Sequence, residues 1–163
     1  LIAAYFGEED IVWGSDEQRT IGLISSILLI QLVAVLGATF TAKASEKFGN
    51  IPTLMFVNAL WLFICIYAYF VVSPIEFYIA AGCVGMVMGG IQALSRSTYA
   101  KLMPETKDAT SFFSFYDVSE KIGIVIGTFI YGVLAQGTGD IRNGIIMFGV
   151  FFLFGGLMLR RVK

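Results

Sequence analysis

The stretch FFSFYDVSEKIGIVIGTFIYGVLA, Phe112–Ala135, places three charges inside a long apolar run. Asp117 is three residues from Glu120 and four from Lys121, so all three side chains lie on one face of a helix. A charge near the centre of a bilayer costs about 2.5–3.5 kcal/mol on insertion scales. These charges therefore require a water-lined cavity, mutual pairing, or a position close to the membrane interface.

The composition around this stretch is that of an integral membrane protein. The chain has 163 residues, of which 57% are hydrophobic and only 14% charged, whereas a soluble domain carries about 25% charged residues. Histidine is absent, and both cysteines, Cys65 and Cys83, lie in apolar stretches. Neither a phosphate-binding glycine loop nor a basic nucleic-acid patch occurs. We expect no enzyme activity, no cofactor, no metal and no nucleic-acid partner.

Apolar runs predict an all-α, multi-spanning membrane helical bundle. Each run approaches the roughly 20 residues that cross about 30 Å of hydrocarbon. Polar loops are expected at 43–50 and 95–110, and Ser15 or Asp16 is expected to cap the first full span. Leu1–Phe6 resembles the last turns of a further helix, so the chain is interpreted as a fragment of a longer protein. The five complete spans are predicted at about 20–42, 52–72, 75–94, 111–135 and 142–159.

The basic residues alternate between the two sides that these spans define. One side carries eight and the other only Arg19 and Arg142, while Lys121 lies inside a span. Basic residues concentrate in cytoplasmic loops, so the side with eight is predicted to be cytoplasmic and the bilayer is an expected partner. The eight residues are Lys43, Lys47, Arg96, Lys101, Lys107, Arg160, Arg161 and Lys163.

Small residues and isolated amides suggest how the spans pack. Gly85 with Gly89, and Gly123 with Gly127, have the small-xxx-small spacing that lets helix backbones approach closely in lipid. Gln31 and Asn58 are isolated amides within spans. They are interpreted as interhelical hydrogen-bonding groups, with ligand contacts as the alternative.

The longest motif resembles a known transporter family. The stretch GCVGMVMGGIQALSRSTYAKLMPETKDATSFFSFYDVSEKIG, residues 82–123, is similar to the tenth-to-eleventh helix region of the autophagy-related vacuole effluxer branch of the major facilitator superfamily. The resemblance implies the C-terminal six-helix half of a twelve-helix transporter. It also implies that the N-terminal half of the same transporter is the partner. Glu120 departs from the pattern, which has glycine before the lysine.

Two groups of candidate site residues follow, each with an alternative. The resemblance and the helical face suggest a substrate or proton path formed by Asp117, Glu120, Lys121, Gln92 and Tyr131. Alternatively, Asp117 and Lys121 form an i,i+4 pair and Lys121 snorkels to the interface.

A cytoplasmic gate is the second candidate, formed by Glu46, Lys47 and Arg96. In it Arg96 locks against Glu46 or Asp117, or clamps a substrate carboxylate. The alternative for Arg96 is an ordinary membrane-flanking anchor.

The predicted function is secondary active transport by alternating access. The substrate is expected to be a small molecule, and the resemblance suggests amino acids. A bacterial cell membrane is favoured over a vacuolar membrane. The alternative is a membrane scaffold or assembly subunit that moves no solute and packs through its glycine-rich helices.

Overall fold

The computed structural model describes residues 11–105, 108–139 and 141–162, without the side chains of residues 141 and 142. The helix end predicted at Leu1–Phe6 lies outside the described residues, as do the predicted loop charges Lys107 and Lys163. The described residues form five helices: α1 Asp16–Phe48, α2 Asn50–Phe70, α3 Pro74–Leu102, α4 Ala109–Thr138 and α5 Ile141–Leu159.

Local capping signals explain where the helices begin. Ser15 accepts a hydrogen bond from the Gln18 backbone N–H at 3.2 Å and caps α1. Ser73 and Glu76 form a reciprocal capping box around Pro74, which suits the first turn of α3 because proline has no N–H to leave unbonded. Asp108 accepts from the Ser111 backbone N–H at 3.2 Å and caps α4.

Two helices run past the predicted spans. The sequence predicts loops from Lys43 and from Ser95, but α1 continues to Phe48 and α3 to Leu102. These loop predictions are wrong because polar side chains mark the exit from hydrocarbon, whereas a helix ends only where its backbone is interrupted. Gly49, with φ +89°, provides that interruption after α1. Pro104 provides the interruption after α3, because a proline disfavours the helical conformation in the residue before it.

The bundle is a helical membrane fold, as predicted. Helices α1 to α4 are long and apolar enough to cross a bilayer, and Asn143–Leu159 within α5 is a shorter apolar helix. Successive helices alternate in direction, so the end of α1 lies near the start of α2 and the end of α3. We call this end, which carries Lys43, Lys47, Arg96, Lys101, Arg160 and Arg161, the basic end. Arg19 lies at the opposite end.

Helices α1 and α3 form the closest contact in the bundle. A Cβ added to Gly85 would lie 2.6 Å from the Ile30 carbonyl oxygen, and one added to Gly89 would overlap the Ala34 carbonyl. The predicted small-xxx-small contact at these two glycines is therefore confirmed. The second predicted pair forms no such contact among the described residues: no described atom lies within 4 Å of a Cβ at Gly123, and only Phe148 is that near to one at Gly127.

Helix α4 stands at the margin of this packing. Only 6% of its most apolar stretch is buried, compared with 39% for α3. It packs mainly against α5, and it meets α3 through side chains at the basic end. A cleft therefore separates α3 from α4 over the rest of their length.

Candidate functional site

The cleft between α3 and α4 has a volume of about 590 Å³ and combines polar side chains with aromatic walls. From α3 it receives Gln92, Ser95 and Arg96, which repeat at helical spacing and so face the same way. The other lining residues are Ile91, Tyr116, Glu120, Gly123, Ile124, Gly127 and Thr128, together with Phe148 and Phe152 from α5.

An ion pair joins α3 to α4 at the basic end of the cleft. The Arg96 Nη2 atom donates to Asp117 Oδ1 at 3.0 Å and to Oδ2 at 3.3 Å. The two side chains are 56% and 48% exposed, so the pair contributes at most about 1 kcal/mol to stability. The structure thus forms one of the gate contacts that the sequence suggests, although the gating role stays a prediction.

Aromatic side chains close the same mouth of the cleft. The Tyr99 hydroxyl donates to the Phe112 carbonyl at 3.0 Å, and the ring of Tyr99 lies 5.0 Å from that of Tyr116. The Arg96 guanidinium lies 5.9 Å from the centre of the Phe113 ring, within the range of a cation–π contact. Arg96 is therefore held by a carboxylate and an aromatic face together.

The three charges that the sequence places on one helix face divide between two surfaces. Glu120 lines the cleft, whereas Asp117 and Lys121 line a separate groove of about 390 Å³ along α4. Among the described residues Asp117 pairs with Arg96 instead of Lys121, so the i,i+4 pair is not formed. Lys121 is exposed, with the apolar side chains of Val118 and Ile122 beside it.

Tyr131 lies away from the cleft. It is buried, and its ring stacks on Phe148 with the ring centres 5.6 Å apart. The ring occupies the space that a Cβ would need at Gly144, so it fits between α4 and α5. Thr128, three residues earlier, is exposed to the cleft. The structure therefore brings Gln92 and Glu120 together but not Tyr131.

Glu46 and Lys47, predicted as gate residues with Arg96, lie at the end of α1 in another part of the basic end. Both are exposed, and neither forms an ion pair in the described ranges. Glu46 lines a groove against the end of α3. There the Lys101 ammonium donates to Asn50 Oδ1 at 3.0 Å, and Asn50 Nδ2 donates to the Thr98 hydroxyl at 3.0 Å.

Reasoning from sequence did not include the α5 contribution to the site. Phe148 and Phe152 are four residues apart and share a helix face, but that spacing does not say which helix they meet. Phe152 stacks on Trp61 of α2 with ring centres 5.1 Å apart, and its carbonyl accepts a 2.7 Å hydrogen bond from Asn58. The amide of Asn58 therefore joins two helices, as predicted. It holds α2 against α5 at a residue that lines the cleft.

Two comparisons place these features in a family. The family model for vacuole effluxer Atg22-like proteins matches residues 1–163. The Bacillus subtilis (strain 168) protein named "Uncharacterized MFS-type transporter YxiO" is 35% identical over 153 residues, which are 90% of this chain and 34% of that protein. Autophagy-related protein 22 of Vanderwaltozyma polyspora is 33% identical over 155 residues, 88% of this chain and 28% of that protein.

The likeness is therefore to only part of each relative. Autophagy-related protein 22 of Eremothecium gossypii, 27% identical over 146 residues, shares 83% of this chain but 28% of its own length. The chain thus spans about a third or less of these relatives. No solved structure matches it. The resemblance drawn from residues 82–123 is confirmed, and the chain belongs to the vacuole effluxer Atg22-like family.

Proposed function

We propose that this chain is part of a secondary transporter that moves small solutes across a membrane by alternating access, with amino acids as the substrate class. Membership of a family that contains a named MFS-type transporter supports transport as the activity.

The observation that carries the proposal is the polar cleft in an otherwise apolar bundle. Charged groups within a membrane-spanning segment are costly, and they occur mainly where they face a bundle interior or a water-filled path. Glu120 lies about 16 Å along α4 from Ala109, at 1.5 Å per residue. An exposed carboxylate within this apolar helix, beside Gln92 and Arg96, fits a solute path between α3 and α4.

The rest of the path would come from the N-terminal half of the same transporter. Exposed apolar residues cover α4 on the side away from α5, and such a surface suits another helix or lipid. We propose a bacterial cell membrane, since the Bacillus subtilis relative is similar to most of this chain. We place the basic end in the cytoplasm because Lys and Arg gather at that end.

Uptake by the full-length protein in proteoliposomes tests this function. Solute-dependent uptake from an amino-acid panel, reduced by Gln92→Ala in the cleft and unchanged by Gln31→Ala on the exposed face of α1, is the expected result. If no solute is moved and none raises the thermal stability of the full-length protein, the scaffold alternative is supported instead, because ligand binding must stabilise the folded state.

A further inference from the structure

Glu120 is a cleft carboxylate that has no cationic partner among the described residues. It is exposed on the α4 wall of the cleft. Over the parts of the chain that the structure describes, no Lys or Arg nitrogen lies within 4.0 Å of its oxygens. Lys121, its neighbour in sequence, belongs to the outer groove of α4 instead.

The cation that the described residues place in the cleft is already neutralised. Arg96 is the basic residue among the lining residues, and both of its short contacts to a carboxylate are with Asp117. A substrate carboxylate would have to displace Asp117 to reach the guanidinium. Since Arg96 and Asp117 cancel, Glu120 gives the cleft one uncompensated negative charge.

The surroundings of Glu120 leave space for a cation. Gly123, one turn along α4, has no described atom within 4 Å of the position a Cβ would take. Tyr116, one turn earlier, lines the same cleft and offers an aromatic face, which attracts ammonium groups. Gln92 and Thr128 supply neutral hydrogen-bonding groups within the same lining.

We propose that Glu120 is the specificity-determining residue of this cleft, and that it selects solutes whose ammonium groups outnumber their carboxylates. This inference rests on the proposed transport function. A solute with one more ammonium group than carboxylate balances the charge of Glu120, whereas a zwitterion of zero net charge leaves that negative charge uncompensated. Hydrogen bonds between charged groups are stronger than neutral ones.

A matched pair of probes separates charge from size. L-lysine and L-norleucine share the same carbon skeleton, and only L-lysine carries the side-chain ammonium. Binding and uptake of both probes would be measured for the full-length protein, for Glu120→Gln and for Glu105→Gln. Glu105 is an exposed acid in the α3–α4 loop that does not line the cleft, so its variant controls for loss of one negative charge.

The wild-type protein is expected to prefer L-lysine by about tenfold or more, as one charge-assisted contact allows. Glu120→Gln should bind and move the two probes without preference, and Glu105→Gln should keep the wild-type preference for L-lysine. Norleucine uptake with no preference for L-lysine, or a preference that survives in Glu120→Gln, would overturn the inference and leave transport intact. Failure of the wild type to move any solute would contradict the transport function and, with it, the inference.

Discussion

The Arg96 guanidinium donates to both carboxylate oxygens of Asp117, at 3.0 and 3.3 Å, across the mouth between α3 and α4. Away from this mouth the two helices are separated by the cleft. The pair therefore joins two helices that the cleft otherwise separates. Because both side chains are about half exposed, little free energy is lost when the pair breaks.

Asp117→Ala is expected to lower stability by about 1 kcal/mol or less, and Arg96→Ala by somewhat more, because it also removes the contact with the Phe113 ring. The double variant should lose no more than Arg96→Ala alone, because both changes remove the same ion pair. Denaturation of the full-length protein in detergent micelles measures this non-additivity. Strictly additive losses would show that the two side chains act independently.

Tyr131→Ala is expected to destabilise the protein by about 3 kcal/mol, since it removes a buried ring that stacks on Phe148. Thr128→Ala, three residues earlier on the same helix, should leave stability unchanged because Thr128 faces the cleft. Thermal unfolding of both variants makes the comparison. A stable Tyr131→Ala variant with impaired transport would instead support the prediction that Tyr131 belongs to the substrate path.

The sequence predicts where the helices of this fold lie more reliably than it predicts which side chains meet between them. Ser15 as a cap and the close contact at Gly85 follow from local chemistry and spacing, and both are present. Local chemistry and spacing do not predict that Asp117 pairs with Arg96 and not with Lys121. Both are within reach of the carboxylate by sequence argument, and only the arrangement of α3 beside α4 decides between them.

Membrane helices that are apolar on nearly every face carry little information about their orientation. The run around Gly123 has the same small-residue spacing as that around Gly85, yet it borders a cleft and makes no close backbone contact with the described residues. Tyr131 shares a helical face with Asp117 by spacing, but its ring stacks on Phe148 of α5. Packing partners, which spacing does not encode, determine both outcomes.

Asn58→Ala is expected to destabilise the bundle by about 0.6–1.7 kcal/mol, the range for hydrogen bonds between membrane helices. The Asn58 amide donates to the Phe152 carbonyl at 2.7 Å and joins α2 to α5. Gln31→Ala is the control, because Gln31 is exposed on α1. Unfolding in mixed micelles should separate the two variants. Equal losses would indicate that the Asn58 contact adds nothing beyond a generic amide.

The start of α4 should be sensitive to acid. Hydrogen bonds from the Ser111 hydroxyl and then from its backbone N–H hold the pKa of Asp108 below its ordinary value. A carboxylate with a lowered pKa in the folded state contributes stability above its unfolded pKa, about 3.9, and loses it as pH falls through the folded value.

We therefore expect the first turn of α4 to lose protection from amide hydrogen exchange as pH falls below about 4, after correction for intrinsic exchange rates. Asp108→Ala should show the loss already at neutral pH and little further change in acid. The start of α2 is the internal reference, since its first turn contains no acidic residue. Parallel changes at both helix starts would assign the effect to general acid unfolding.

The backbone contact between α1 and α3 gives the sharpest stability test. A Cβ at Gly37 would overlap the Met86 backbone and one at Gly89 the Ala34 backbone, so no side-chain rotation can relieve either clash. Alanine at either position is expected to force the helices apart and cost about 1–3 kcal/mol.

Gly82→Ala is the matched control for this contact. Gly82 lies on the same α3 helix, but no described atom is within 4 Å of its Cβ position. The substitution should stabilise the helix by up to about 1 kcal/mol through its higher helix propensity. Thermal unfolding should therefore place Gly37→Ala and Gly89→Ala below the wild type and Gly82→Ala at or above it. If all three variants unfold together, α1 and α3 do not make this contact, and the cleft beside α3 would have to be placed differently as well.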